Sequence, residues 1–138
     1  MERQKAIVDA SVVAKWFLEE RHSEEARLLR DSFAKGLLSL AVPSLLLYET
    51  LNVLRYTRLY SEDELAELSR ALSEYGFDVW APSGKLHEDT ARMSLRYDIT
   101  VYDASYVALA MHLGATLYTA DTELVKKELA RHISSFRE

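Results

Sequence analysis

The chain of 138 residues contains no cysteine, only two prolines and only four glycines. The missing cysteines remove disulfides, thiolate nucleophiles and Cys-built zinc sites together. Four histidines, His22, His87, His112 and His132, have no HxxH or HxxxH spacing, which argues against a His-built transition-metal centre. Few glycines and prolines, with 49 % hydrophobic and 28 % charged residues, exclude a disordered chain and leave enough apolar side chain for a core. No apolar run approaches the roughly 20 residues of a membrane span. The amino terminus shows no signal-peptide pattern, so a cytoplasmic location without membrane attachment is expected. A net charge of −5 does not advertise an extended nucleic-acid surface. Asn52 and Gln4 are the only side-chain amides, a depletion that leans toward a heat-loving source. Chemistry must therefore come from carboxylates, hydroxyls and basic groups.

The length fits one domain over residues 1–138. Short apolar runs at Ala6–Asp9, Leu37–Val42, Phe77–Ala81 and Ala115–Thr119 read as strands, with Ile133–Phe136 as a short fifth. Helical patterns fill the spaces: Ser11–Glu19, Ser23–Lys35, Leu45–Arg58 capped by Ser44, Ser61–Tyr75, Lys85–Arg96, Asp103–Leu113 and Asp121–Ala130. SEDE at Ser61–Glu64 is a capping box. Strands alternating with helices predict right-handed crossovers between parallel strands. The expected fold is a three-layer α/β/α sandwich around a mostly parallel sheet of four to five strands. Ligands of such sheets bind beyond the carboxyl ends of the strands, where strand order reverses.

Four acids stand out. AIVDASVVAKW ends an apolar run on Asp9; LYTAD ends another just before Asp121. Asp103 lies in VYDASYVALA, and Glu49 lies inside the Leu-rich LLLYETLNVLR, on a stripe with Leu45, Leu46 and Val53. For each Asp, helix capping is the plain alternative. Capping does not account for Glu49, whose alternative is solvent exposure or an ion pair. If the first and fourth strands are neighbours, Asp9 and Asp121 share one crevice. Carboxylates gathered there repel one another, and a divalent cation with a preference for oxygen reverses the penalty.

These four segments, in this order and spacing, resemble a PIN-domain ribonuclease, of the kind found as VapC toxins of toxin–antitoxin pairs. The resemblance implies an Mg²⁺- or Mn²⁺-dependent endoribonuclease. Asp9, Glu49, Asp103 and Asp121 map onto its acids and metal ligands, and Ser11 and Thr119 onto hydroxyl-bearing neighbours. Asp9 and Asp103 are expected to contact the metal, Asp121 directly or through water, and Glu49 to hold a water or assist proton removal. Ser11 and Thr119 either position Asp9 and Asp121 or cap backbone locally; Asn52 either supports Glu49 or touches substrate. Lys15, Arg55, Arg58, Arg92 and Arg96 are candidates for RNA phosphate contact, with solvation or pairing to Glu88 and Asp89 as the alternative for the last two. An antitoxin partner and a homodimer, formed through Leu45–Tyr60 and the following helix, are further expectations. The rival readings are a non-catalytic PIN-fold binding module and a receiver-like signalling domain.

Overall fold

The computed structural model describes residues 3–137. Five strands form one parallel sheet: β1 (Gln4–Val8), β2 (Leu38–Pro43), β3 (Asp78–Trp80), β4 (Thr116–Thr119) and β5 (Arg131–His132). The spatial order is β3-β2-β1-β4-β5. The chain steps outward from β1 to β3 and then returns to the opposite side of β1. Strand order therefore reverses between β1 and β4, where an open parallel sheet forms its ligand crevice. Register aligns Val8 with Tyr118, so Asp9 emerges beside Thr119 at the carboxyl edge.

Seven α-helices occur among the described residues: α1 (Ala10–Ala14), α2 (Ser23–Ala34), α3 (Leu45–Tyr56), α4 (Glu62–Glu74), α5 (Gly84–Tyr97), α6 (Val101–Leu113) and α7 (Thr122–Lys126). Right-handed crossovers put α1–α4 on one face of the sheet and α5–α7 on the other. The packing agrees: α1 lies on α3, α3 on α4, and α5 on α6. Between the layers, Ile7, Val8, Leu40, Val42 and Leu117 of the strands meet Leu29, Leu46, Val107 and Leu109 of the helices. Helix α6 is apolar almost all round, as its sandwiched position requires; Ala104 through Ala110 are buried except Ser105. No described helix is long and apolar enough to cross a membrane.

Several boundaries differ from the sequence reading, each for a local reason. The first helix stops at Ala14 rather than Glu19, because Trp16 and Phe17 close tighter turns onto Val13 and Ala14. The Trp16 indole then turns inward and donates to the Ala26 carbonyl at 2.9 Å. The last α-helix ends at Lys126 rather than Ala130, where Glu128 takes a left-handed conformation with φ 62°. The fifth strand is Arg131–His132, not Ile133–Phe136. Ile133–Ser135 instead forms a 3₁₀ turn, capped by the Ser134 N–H donating to His132 Nδ1 at 3.1 Å. Ser44 stands before α3 but makes no side-chain cap; its N–H is held by the Trp80 carbonyl at 2.9 Å. The Ser61–Glu64 capping box forms in both directions.

Candidate active site

Asp9 leaves β1 at the point of strand-order reversal and is buried, with 8 % of its surface exposed. Three donors hold it. The Ser11 N–H and hydroxyl donate to Oδ1, at 3.1 and 2.5 Å, and the Thr119 hydroxyl donates to Oδ2. Both hydroxyls also accept from the backbone of the β4–α7 junction. Ser11 Oγ takes the Ala120 N–H and Thr119 Oγ1 takes the Asp121 N–H, each at 2.9 Å. The two hydroxyls thus stitch the β1–α1 junction to the β4–α7 junction. The helix cap here is Asp9 itself, which accepts the Ser11 N–H; the Ser11 hydroxyl bonds Asp9 and the distant Ala120 N–H rather than capping backbone locally.

Asp121 is the N-cap of α7, its Oδ1 accepting from the Glu123 N–H at 2.9 Å. Asp103 is not a cap. Thr100 takes that duty, accepting the Asp103 N–H at 3.0 Å, and so leaves the Asp103 carboxylate on the first turn of α6 with no capping bond. Glu49 is partly buried on α3 and receives a hydrogen bond from the Tyr106 hydroxyl of α6 at 2.6 Å, which joins the two helix layers over the sheet edge.

The proton affinities register this proximity. Burial pushes Asp9 up to about 6, with a smaller push from Asp103, against the pull of its hydrogen bonds from Ser11, Thr119 and the Val12 backbone. Asp103 is raised by burial and then by Asp121; Glu49 is raised by burial and then by Asp103, against the pull of Tyr106. Burial and the neighbouring Glu49, Asp9 and Asp103 raise the Tyr106 phenol far above its ordinary range, so it stays a proton donor. The four acids are thus linked electrostatically, with Asp103 at the hub. None of them forms an ion pair among the described residues.

The donor chemistry suits a hard divalent cation: oxygen ligands, excess negative charge and, among the described residues, no cation paired to neutralise it. Among the described residues no three acidic or imidazole groups form a ready-made cage. That arrangement is compatible with Mg²⁺, which typically keeps several waters beside one or two carboxylates.

Outside the acids, the sequence reading fares unevenly. Lys15 is corrected. It is buried, with 8 % exposed, and its ammonium is held by Glu20 at 3.0 Å and the Arg21 carbonyl at 2.8 Å, so it does not reach toward a substrate. Arg92 is taken up by Asp89 at 3.0 Å, and Arg96 is exposed on the last turn of the same helix. Asn52 is exposed and makes no described bond to Glu49; Tyr106 holds that position instead. Sequence reasoning missed Tyr106, although its signal was present. It lies three residues after Asp103, one helical turn along the same face.

Residues 6–129 match the PIN domain. The chain is 34% identical over 128 residues to Ribonuclease VapC3 of Pyrobaculum aerophilum, covering 89% of this chain and 94% of that protein. Among solved structures, it resembles PAE2754 from Pyrobaculum aerophilum with a TM-score of 0.67 and 29% identity, over 98% of this chain and 94% of the other. A toxin–antitoxin complex from Klebsiella pneumoniae shares the fold, with a TM-score of 0.68 and 16% identity over 93% and 97% of the two chains. With its acids at the strand-reversal edge of a parallel sheet and this likeness spanning nearly its whole length, the chain belongs to the PIN-domain family.

Proposed function

We propose that the chain, as a single domain, is a divalent-metal-dependent endoribonuclease, the toxin of a toxin–antitoxin pair. The observation that carries this reading is the electrostatic chain Asp9–Asp103–Asp121 with Glu49 joined to Asp103, unneutralised by any described cation. The likeness to Ribonuclease VapC3 supports RNA as the substrate. The likeness to a toxin–antitoxin complex supports an antitoxin partner.

Mg²⁺ or Mn²⁺, held by Asp9 and Asp103 with Asp121 directly or through water, would neutralise the scissile phosphate and lower the pKa of a water. The residues of the chain do the rest. The Ser11 and Thr119 hydroxyls fix both oxygens of Asp9, so its orientation needs no reorganisation when substrate arrives. Tyr106 engages Glu49 Oε1 and leaves Oε2 to accept a proton from, or orient, the attacking water. Attack by external water leaves a 5′-phosphate and a 3′-hydroxyl.

A homodimer in the cytoplasm is the assembly we favour. Exposed apolar side chains on the later part of α3, Val53 and Tyr56, and Leu59 just beyond it, support that choice. The test is Asp103→Asn. Cleavage of RNA in Mn²⁺ should fall below detection while far-ultraviolet circular dichroism is unchanged; full turnover by this variant refutes the assignment. A receiver-like domain would instead take up label from a small phosphate donor.

A further inference from the structure

The sequence sets His22 and His132 far apart, with no spacing that suggests a joint role. The fold packs their rings edge to face, with centroids 4.9 Å apart. His22 precedes α2 in a left-handed conformation, φ 68°, and its ring makes no cap there. Glu25 Oε2 lies 3.7 Å from the His22 Nδ1. His132 ends β5, where the backbone pairs with Thr119 of β4. Its Nδ1 accepts the Ser134 N–H at 3.1 Å and lies 2.7 Å from the Ser134 hydroxyl. A ring nitrogen that accepts an N–H carries no hydrogen, so the neutral imidazole keeps its proton on Nε2.

The pair is not arranged for a metal ion. Among the described residues no third ligand completes a cage, and two cations, Lys15 and Arg21, act on His132. Lys15 is fixed by Glu20 at 3.0 Å and the Arg21 carbonyl at 2.8 Å, so it stays in place. The principal charges on the His132 ring are thus His22 and Glu25 at the start of α2, and Lys15 and Arg21 before it. Helix α7 also packs against β5, and there Lys126 meets Glu123 at 3.6 Å. Arg137 donates to the Ser134 and Phe136 carbonyls. Burial, then His22, Lys15 and Arg21, hold the proton affinity of His132 below the ordinary 6.5, against a smaller pull from Glu25.

We propose that residues 131–137 are a proton-sensitive latch: with a neutral His132 they close over β4, and a protonated His132 releases them. The device works by hydrogen-bond polarity. On protonation Nδ1 becomes a donor. The Ser134 hydroxyl can turn and accept from it, but the Ser134 N–H cannot, and loses its partner. That N–H caps the 3₁₀ turn that buries Ile133 and sets Phe136 against Tyr118, with ring centroids 5.5 Å apart. Only two residues of β5 pair with β4, so the cap carries much of the closure. Release bares Ile133 and Phe136 and leaves β4, the strand that carries Thr119, with an open edge. The released segment binds a proton more readily than the closed one. Closure is therefore complete above the ordinary 6.5 and weakens as pH falls below it.

The test is amide hydrogen exchange of the full chain by NMR, read as protection relative to the intrinsic rate, beside the titration of the His132 ring. The Ser134 N–H and the Phe136 N–H, which donates to the Ile133 carbonyl at 3.0 Å, report on the latch. Their protection should fall by about tenfold between pH 7.5 and pH 5, as for loss of a hydrogen bond that anchors a short segment. The midpoint should coincide with that of the ring. In His132→Asn the side-chain oxygen accepts the Ser134 N–H as an Asx turn and does not titrate, so protection should hold over the whole range. Parallel loss in the parent and His132→Asn overturns the latch, because other groups then drive the opening. Undiminished protection in the parent at pH 5 also overturns it, as does a neutral ring that carries its proton on Nδ1. If His132→Asn leaves the segment open at every pH, the parent decides: coincident midpoints uphold the proposal and separate ones overturn it.

Discussion

Replacing Asp9 by Asn should stabilise the protein at neutral pH while destroying its activity. The carboxyl of Asp9 rises from an ordinary 3.8 to about 6 on folding, mainly through burial. Between those values the folded chain holds a proton that the unfolded chain has released. Stability contributed by Asp9 is therefore complete below pH 3.8 and declines as pH climbs toward 6. At about 1.4 kcal/mol per tenfold change in proton affinity, the ionised group costs about 3 kcal/mol above that window. Asparagine removes the charge. It keeps an oxygen for the Ser11 donors, but it sets an amide against the Thr119 hydroxyl, a mismatch costing about 1 kcal/mol. The net expected gain is about 2 kcal/mol at pH 7.5 without added metal. Urea unfolding of both proteins from pH 4.5 to 7.5 measures it. Taking the difference between them cancels the titration of groups not coupled to Asp9, leaving Asp9 with its smaller coupling to Asp103. The parent should lose ground to the variant steadily up to about pH 6 and then run parallel. Parallel profiles over the whole range would refute the burial argument for Asp9.

Other perturbations have equally definite outcomes. Tyr106→Phe removes the only described hydrogen bond to Glu49, so kcat should fall by about tenfold or more, with manganese affinity, read by electron paramagnetic resonance, also weakened. Glu49→Gln should damage RNA cleavage, whereas Glu64→Gln, confined to the exposed capping box of α4, should leave it intact; equal behaviour removes Glu49 from the site. Thr119→Val leaves Asp9 Oδ2 and the Asp121 N–H without their shared partner and should cost about 2–3 kcal/mol in urea unfolding. Millimolar Mg²⁺ should raise the melting temperature of the parent and leave that of Asp103→Asn unmoved, because the ion binds only the folded acid cluster.

The layered fold was legible because the first four strands lie in short apolar runs punctuated by Gly, Pro or Asp, and because α6 and the capping box of α4 follow strong local patterns. What escaped was decided by contacts distant in sequence. The first helix looked longer because KWFLE continues a helical composition, but Trp16 is drawn inward by Ala26. Ile133 and Phe136 looked like strand residues because they are apolar; they are buried by a turn that His132 caps. At the site, the capping reading of the aspartates was correct for Asp9 and Asp121, each of which accepts from the first turn of the helix that follows; such a bond occupies one carboxylate oxygen and so does not by itself bar the proposed role. For Asp103 it failed, because Thr100 was already there. Lys15 looked like a free cation next to the first acid; only the fold of residues 15–21 reveals its internal partners.

The clamp of Ser11 and Thr119 has a consequence for synthesis of the chain. Asp9 leaves the ribosome early, but the hydroxyl that secures its second oxygen lies 110 residues later. On the proposed assignment, no growing polypeptide holds a finished acid site until β4 has emerged and inserted beside β1. On that assignment, a product cut short before position 119 lacks the hydroxyl that secures Asp9 and should be inactive.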